Sequence, residues 1–130
     1  ALVRVKLRHL DRENEIRRCL ATFYLKNIQN PLIQLPQPPQ VPTEHVWHLF
    51  VIRCKTRDHL QEYLLQKGIA TQIHYPIPPH KQKAYSEWNH LSFPITEAIH
   101  QEVLSLPLFP GLSQKEQEAI VSALNEYPGV

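Results

Sequence analysis

Methionine is missing from all 130 residues, glycine occurs only three times, and the two cysteines stand far apart. Each scarcity excludes something. Gly68, Gly111 and Gly129 are too scattered for the phosphate-cradling loops of dinucleotide or nucleoside-triphosphate enzymes, which need several glycines within a few residues. No apolar run reaches the ~18 residues of a membrane span. Cys19 and Cys54 form no Cys-x-x-Cys pair, so they read as two buried free thiols of a reducing cytoplasm rather than a disulfide or a zinc clasp. Charges at Arg4, Lys6 and Arg8 leave no room for a secretion signal. A chain that opens on Ala1 and has no initiator residue reads as a piece of something larger. Excess charge is also lacking: the formal net charge is +2, from 14 Lys+Arg and 12 Asp+Glu that are interspersed. No clustered basic face marks a nucleic-acid partner. What remains is ordinary for a folded domain, with 42% hydrophobic and 20% charged residues, enough for one core and not two.

Prolines divide the chain. Val3, Leu7 and Leu10, then Ile16, Cys19, Leu20 and Phe23, form an apolar stripe of helical period, satisfied by one long amphipathic helix or by two joined near Leu10-Asp11. Pro31, Pro36, Pro38, Pro39 and Pro42 then enforce an extended connector over 31–44. β-Branched and aromatic residues over 46–54 predict a central strand. A helix over Arg57–Lys67 follows, capped by Thr56, buried through Leu60 and Leu64, and closed by Gly68. Residues 69–74 alternate as a second strand, and a short helical turn around Lys81–Trp88 and a helix around Thr96–Glu102 are expected to follow. Val103–Leu106 reads as a third strand. Ser113 and Glu116 form a capping box for a last helix whose inward face is Ala119, Ile120 and Leu124. Trp47, Phe50, Trp88, Leu106 and Phe109 read as core. The order implies an α/β two-layer domain, a small sheet of three or four strands with helices on one face, its strand directions left open.

Twelve prolines and eight histidines are high for this length, and they converge in His74-Tyr75-Pro76-Ile77-Pro78-Pro79-His80. A strand end that delivers polar rings into a proline-stiffened loop suits ligand binding, because little ordering entropy is left to lose. The bland alternative is a stiff turn whose histidines cap nearby backbone. Zinc needs three or four converging ligands. His45 and His48 would face opposite sides of a strand, so no metal is expected there or with His74, His80, His90 or His100. Cys54, in an apolar strand, is a poor nucleophile.

Larger patterns accompany that block: His45-Val46-Trp47-His48-Leu49-Phe50-Val51-Ile52-Arg53, Gly68 through His80, Gln82-Lys83-Ala84-Tyr85 and Leu104-Ser105-Leu106-Pro107-Leu108-Phe109-Pro110. Together with the opening Arg4-Val5-Lys6-Leu7, they resemble the C-terminal region of the DegT/StrS sugar-nucleotide aminotransferases, and most nearly members acting on 3-oxo-6-deoxyhexose nucleotides. The resemblance implies the small C-terminal domain of an aspartate-aminotransferase-like fold over 31–130, with 1–30 as a helical lead-in from a larger domain. It implies a pyridoxal 5′-phosphate (PLP) enzyme moving an amino group from glutamate to a nucleotide-linked keto-deoxysugar, cytoplasmic and homodimeric. The Schiff-base lysine of that family lies upstream, and none of Lys6, Lys26, Lys55, Lys67, Lys81, Lys83 or Lys115 stands in its motif. Neither a catalytic nor a cofactor-binding residue is therefore expected in this stretch, which alone should be inactive. Tyr75 and His80, with His74 behind them, are the implied substrate contacts: a flat ring with one hydroxyl suits a sugar, and imidazoles can serve its hydroxyls or phosphates. A catalytically silent module binding sugar nucleotides or partner proteins is the competing reading. Separation from a larger domain should expose an apolar face.

Overall fold

The computed structural model describes residues 2–130. Its spine is the strand β2, Val103–Leu106, every residue of which is buried. β2 pairs antiparallel with β1, Phe50–Arg53, in a register running from Phe50 opposite Leu106 to Arg53 opposite Val103. Among the described residues, only single bridges form beyond these two strands, Gln34 with Arg53 on one side and Gln72 with Ser105 on the other. The sheet thus has two strands, where the sequence suggests three or four. The reason is the missing donors: Gln34 lies between Pro31 and Pro36, and the segment after Gln72 runs into Pro76, Pro78 and Pro79, so neither outer segment extends its ladder.

β1 is also shorter than the expected 46–54. Trp47 adopts a left-handed backbone (φ 51°), which a bulky side chain takes only at a cost of roughly 1–3 kcal/mol. Surrounding contacts hold it there. The Trp47 amide donates to His45 Nδ1 at 2.9 Å, and the indole packs on the His45 ring (4.2 Å) and on Phe50 (5.5 Å). That kink buries Trp47 and leaves His48 exposed, so the ladder begins only at Phe50.

The opening stripe is two helices, α1 (Leu2–Leu7) and α2 (Leu10–Asn27), parted at Arg8 and His9. α2 buries Leu20, Ala21 and Tyr24, and the Tyr24 hydroxyl donates to the Pro107 carbonyl at 2.8 Å. Burial pushes the Tyr24 phenol pKa upward, so it stays a donor at any physiological pH. Cys19, expected inside, lies on the outer side of α2 and is exposed, whereas Cys54 is buried. The α1 side chains Val3, Val5 and Leu7 are exposed, as is Leu10 at the start of α2.

α3 (Arg57–Gln66) buries Leu60 and Leu64 and is followed by Gly68 at φ 78°, the left-handed position that glycine fills without penalty. Thr56 does not cap it; its hydroxyl is 2.9 Å from the Tyr127 hydroxyl instead. α4 (Pro94–Glu102) runs straight into β2, and α5 (Gln114–Asn125) starts with the expected Ser113–Glu116 box. α5 buries Ile120, Val121, Ala123 and Leu124, while Ala119 is exposed. Trp88 and Phe109, expected in the core, are exposed as well. The core itself joins α2, α3, α5 and both strands.

One polar residue ties the ends together. Buried Asn30 donates to the carbonyls of Leu124 (2.9 Å) and Tyr127 (2.8 Å) and accepts from the Leu32 amide (3.0 Å). Replacing it leaves buried backbone groups without partners, so Asn30→Ala should destabilise the chain by about 2–3 kcal/mol in urea unfolding. Removal of the exposed Gln37 side chain's amide as a control (Gln37→Ala) should change the midpoint little.

Candidate functional site

The 74–80 loop leaves the single bridge at Gln72 and crosses the surface beside α4. Each of its rings ends in a different environment. His74 is half-buried, its Nδ1 2.9 Å from the hydroxyl of Ser105, in the middle of β2. Tyr75 is exposed (66%), and its carbonyl accepts a hydrogen bond from His100 Nδ1 on α4. His80 is buried (5%), in a short 3₁₀ turn over Pro79–Lys81, with Nε2 2.9 Å from Glu97 Oε1 and its ring edge-on to Phe93 at 4.9 Å. The loop is thus pinned at three places, once to the strand and twice to the helix. Sequence reasoning singled out the rings of this loop but missed Ser105, Glu97 and His100. The only available signal was the helical spacing of Glu97 and His100, three residues apart.

Glu97 is the busiest of these groups. Its Oε1 accepts the Phe93 amide at 3.0 Å as well as His80, and Lys81 Nζ lies 4.0 Å away. Lys81 in turn donates to the carbonyls of Asn89 (2.9 Å) and Leu91 (3.0 Å), holding the next turn against the loop. The Phe93 amide first, and the His80 bond after it, keep the Glu97 carboxyl below the usual carboxylate range. Beyond the loop, Tyr85 and Trp88 stack in parallel at 4.8 Å. Tyr75, Ile77, Tyr85, Trp88, Phe93 and Ile95 are all exposed, giving the 75–95 segment an apolar outer surface.

A PLP Schiff base needs a lysine whose amine is unprotonated and sheltered. Lys6, Lys26, Lys55, Lys67, Lys81, Lys83 and Lys115 are all exposed. The bond to Glu126 moves Lys67 upward, away from nucleophilic behaviour, and Lys81 is spent on backbone carbonyls. Among the described residues no three His, Cys, Asp or Glu side chains converge on a possible metal position, and no helix is long and apolar enough to cross a membrane. A cavity of about 570 Å³ lies elsewhere, between Leu32 and Gln34, the Arg53–Glu102 ion pair, and Pro128.

The Glu97 geometry sets an acid limit on the loop. Folding lowers this carboxyl's pKa, so the unfolded chain takes up the proton first as pH falls. Its stabilisation is complete above the ordinary carboxylate range and is lost as pH drops through the lowered folded value. Urea midpoints measured from pH 7 to 3 should therefore fall more steeply for the parent chain than for Glu97→Gln, the two curves converging at the acid end.

Comparison with known proteins places this geometry. Residues 1–125 match the model of the DegT/DnrJ/EryC1/StrS aminotransferase family. The chain is 54% identical, over 98% of its length, to dTDP-3-amino-3,6-dideoxy-alpha-D-galactopyranose transaminase of Aneurinibacillus thermoaerophilus, and covers 35% of that protein. It is 38% identical, over 98% of its length, to dTDP-3-amino-3,4,6-trideoxy-alpha-D-glucose transaminase of Streptomyces venezuelae, covering 34% of it. It therefore spans about a third of the length of these curated relatives. Among solved structures, S. venezuelae DesV in complex with a ketimine intermediate superposes with a TM-score of 0.89 at 38% identity, over 96% of this chain and 34% of that one. NtdA of Bacillus subtilis, solved with bound PMP, superposes at 0.76 with 31% identity, over 86% of this chain and 27% of that one. The mixed helical fold with its small antiparallel sheet is that of aminotransferase C-terminal domains, and this chain belongs to the DegT/DnrJ/EryC1/StrS aminotransferase family.

Proposed function

We propose that this chain is the small C-terminal domain, residues 31–130 with a helical lead-in over 1–30, of a PLP-dependent aminotransferase. The whole enzyme transfers an amino group from glutamate to a keto-deoxysugar carried on a nucleoside diphosphate, in the cytoplasm and as a homodimer. The cofactor supplies the electron sink when bound. This chain's part is to hold the sugar nucleotide. Tyr75 presents an exposed ring and hydroxyl to the sugar, backed by His74 and His80. His80 has Nε2 committed to Glu97, so Nδ1 is the nitrogen left for a ligand.

The observation that carries this reading is the placement of Tyr75: an exposed ring on a proline-rich loop whose backbone is fastened at that residue. A loop ordered before the ligand arrives loses little entropy on binding. The loop lies on an open surface, so an opposing wall has to come from other polypeptide to make a pocket. The threefold greater length of the relatives and the exposed apolar residues of α1 and of 75–95 support that arrangement.

The experiment compares the 130-residue chain with the full-length enzyme that carries it. The chain alone should form no Schiff base with PLP and should not transaminate, whereas the full-length enzyme should do both. In the latter, Tyr75→Ala should raise KM for the nucleotide sugar about tenfold, the effect of losing one ring contact and one hydrogen bond. Covalent PLP on the isolated chain would overturn the assignment. Tight nucleotide-sugar binding by the isolated chain would favour a catalytically silent binding module.

A further inference from the structure

Two of the three pins on the 74–80 loop come from one face of α4. Glu97 and His100 are three residues apart, so their side chains emerge side by side, one holding the far end of the loop and the other its near end. Between them run Pro76, Ile77, Pro78 and Pro79; the prolines have φ fixed by their rings, and Ile77 is held extended by the proline after it. A short, stiff span fastened at both ends behaves as one rigid body with the helix. α4 is continuous with β2, whose Ser105 holds His74, so the whole assembly is referenced to the buried spine.

Hydrogen-bond chemistry adds a second constraint. A backbone carbonyl only accepts, so His100 must carry a proton on Nδ1 to bond the Tyr75 oxygen. A carboxylate likewise only accepts, so His80 must carry a proton on Nε2 toward Glu97. In the neutral ring, Nδ1 of His80 is then an acceptor and Nε2 of His100 is another. The partners thus choose the tautomers, and an acceptor on His80 suits a sugar hydroxyl.

We propose that Glu97 and His100 are positioning residues for the nucleotide sugar: from α4 they set the place of Tyr75 and the tautomer of His80 before substrate arrives, without touching it. This rests on the binding role assigned above to the loop. The claim is narrower than general support of the fold, because the affected step is sugar binding alone. The half-reaction in which the amino donor aminates the cofactor should then be spared.

The test uses the full-length enzyme carrying this chain, assayed separately for each half-reaction. His100→Ala should raise KM for the nucleotide sugar about three- to tenfold, the range for one lost hydrogen bond, with little change in donor-driven cofactor amination. His100→Asn, whose amide nitrogen falls near the position of Nδ1, should restore most of the loss. Glu97→Ala should act in the same direction. Unchanged KM in both alanine variants, or both half-reactions slowing in proportion, would overturn the proposal. A second measurement needs no variant: ¹⁵N chemical shifts of the unmodified enzyme should report a proton on Nδ1 of His100 and on Nε2 of His80. A neutral His100 protonated on Nε2 sinks the idea even if every variant fails to fold. Failure of the underlying functional reading looks different, since the unmodified enzyme would then not turn over nucleotide sugars at all.

Discussion

Ser105 sits where three demands meet. Its backbone exchanges hydrogen bonds with Gln72, at 2.7 and 3.2 Å, its strand partner across β1 is Val51, and its hydroxyl meets His74. A buried hydroxyl must find a partner, and an imidazole at the root of a loop is a directional one. β2 is therefore both the centre of the core and the anchor of the 74–80 surface loop. Its neighbours Leu104 and Leu106 are packed among Phe50, Ile52 and the α3 leucines, so the anchor cannot shift without disturbing the apolar core.

Proline and histidine divide the labour around that anchor. Prolines limit the sheet to two strands and deny the 74–80 segment alternative conformations. Histidines then attach the stiffened segment: His74 to the strand, His80 to Glu97, and His100, from the helix, to the Tyr75 carbonyl. Arg57 makes a comparable attachment beneath, buried and donating to the Val103 carbonyl at 3.2 Å and the His100 carbonyl at 3.4 Å, where α4 passes into β2. Aromatic residues that would complete a core elsewhere, Tyr85, Trp88 and Phe93, instead face outward in the same stretch. On the function proposed above, these exposed apolar groups face other polypeptide of the longer enzyme.

Much of the element order was legible in the chain. The span of α3, the left-handed Gly68, the Ser113–Glu116 box and the extent of β2 follow from local patterns, because each depends on residues a few positions apart. The mistakes share a different origin. The start of β1 depends on a left-handed Trp47 held by His45 and Phe50, and Trp88 and Phe109 stay exposed because none of the described elements covers them. Ala119 and Cys19 were assigned inward by helical period, yet each falls just off the stripe that the neighbouring element covers.

The chain alone determined the span of α3, the cap of α5, the extent of β2 and which loop is stiff, since backbone donors, proline geometry and capping act over a turn or two. Its resemblance to a family came from the same short motifs. Only the tertiary structure decided which ring is exposed and which is buried: Tyr75 stands outside, while His80 lies beneath Phe93 against Glu97. It also decided that two strands pair and that α4 grips the loop. Those outcomes rest on contacts between residues far apart in sequence, whose energies depend on packing and burial that no local pattern encodes.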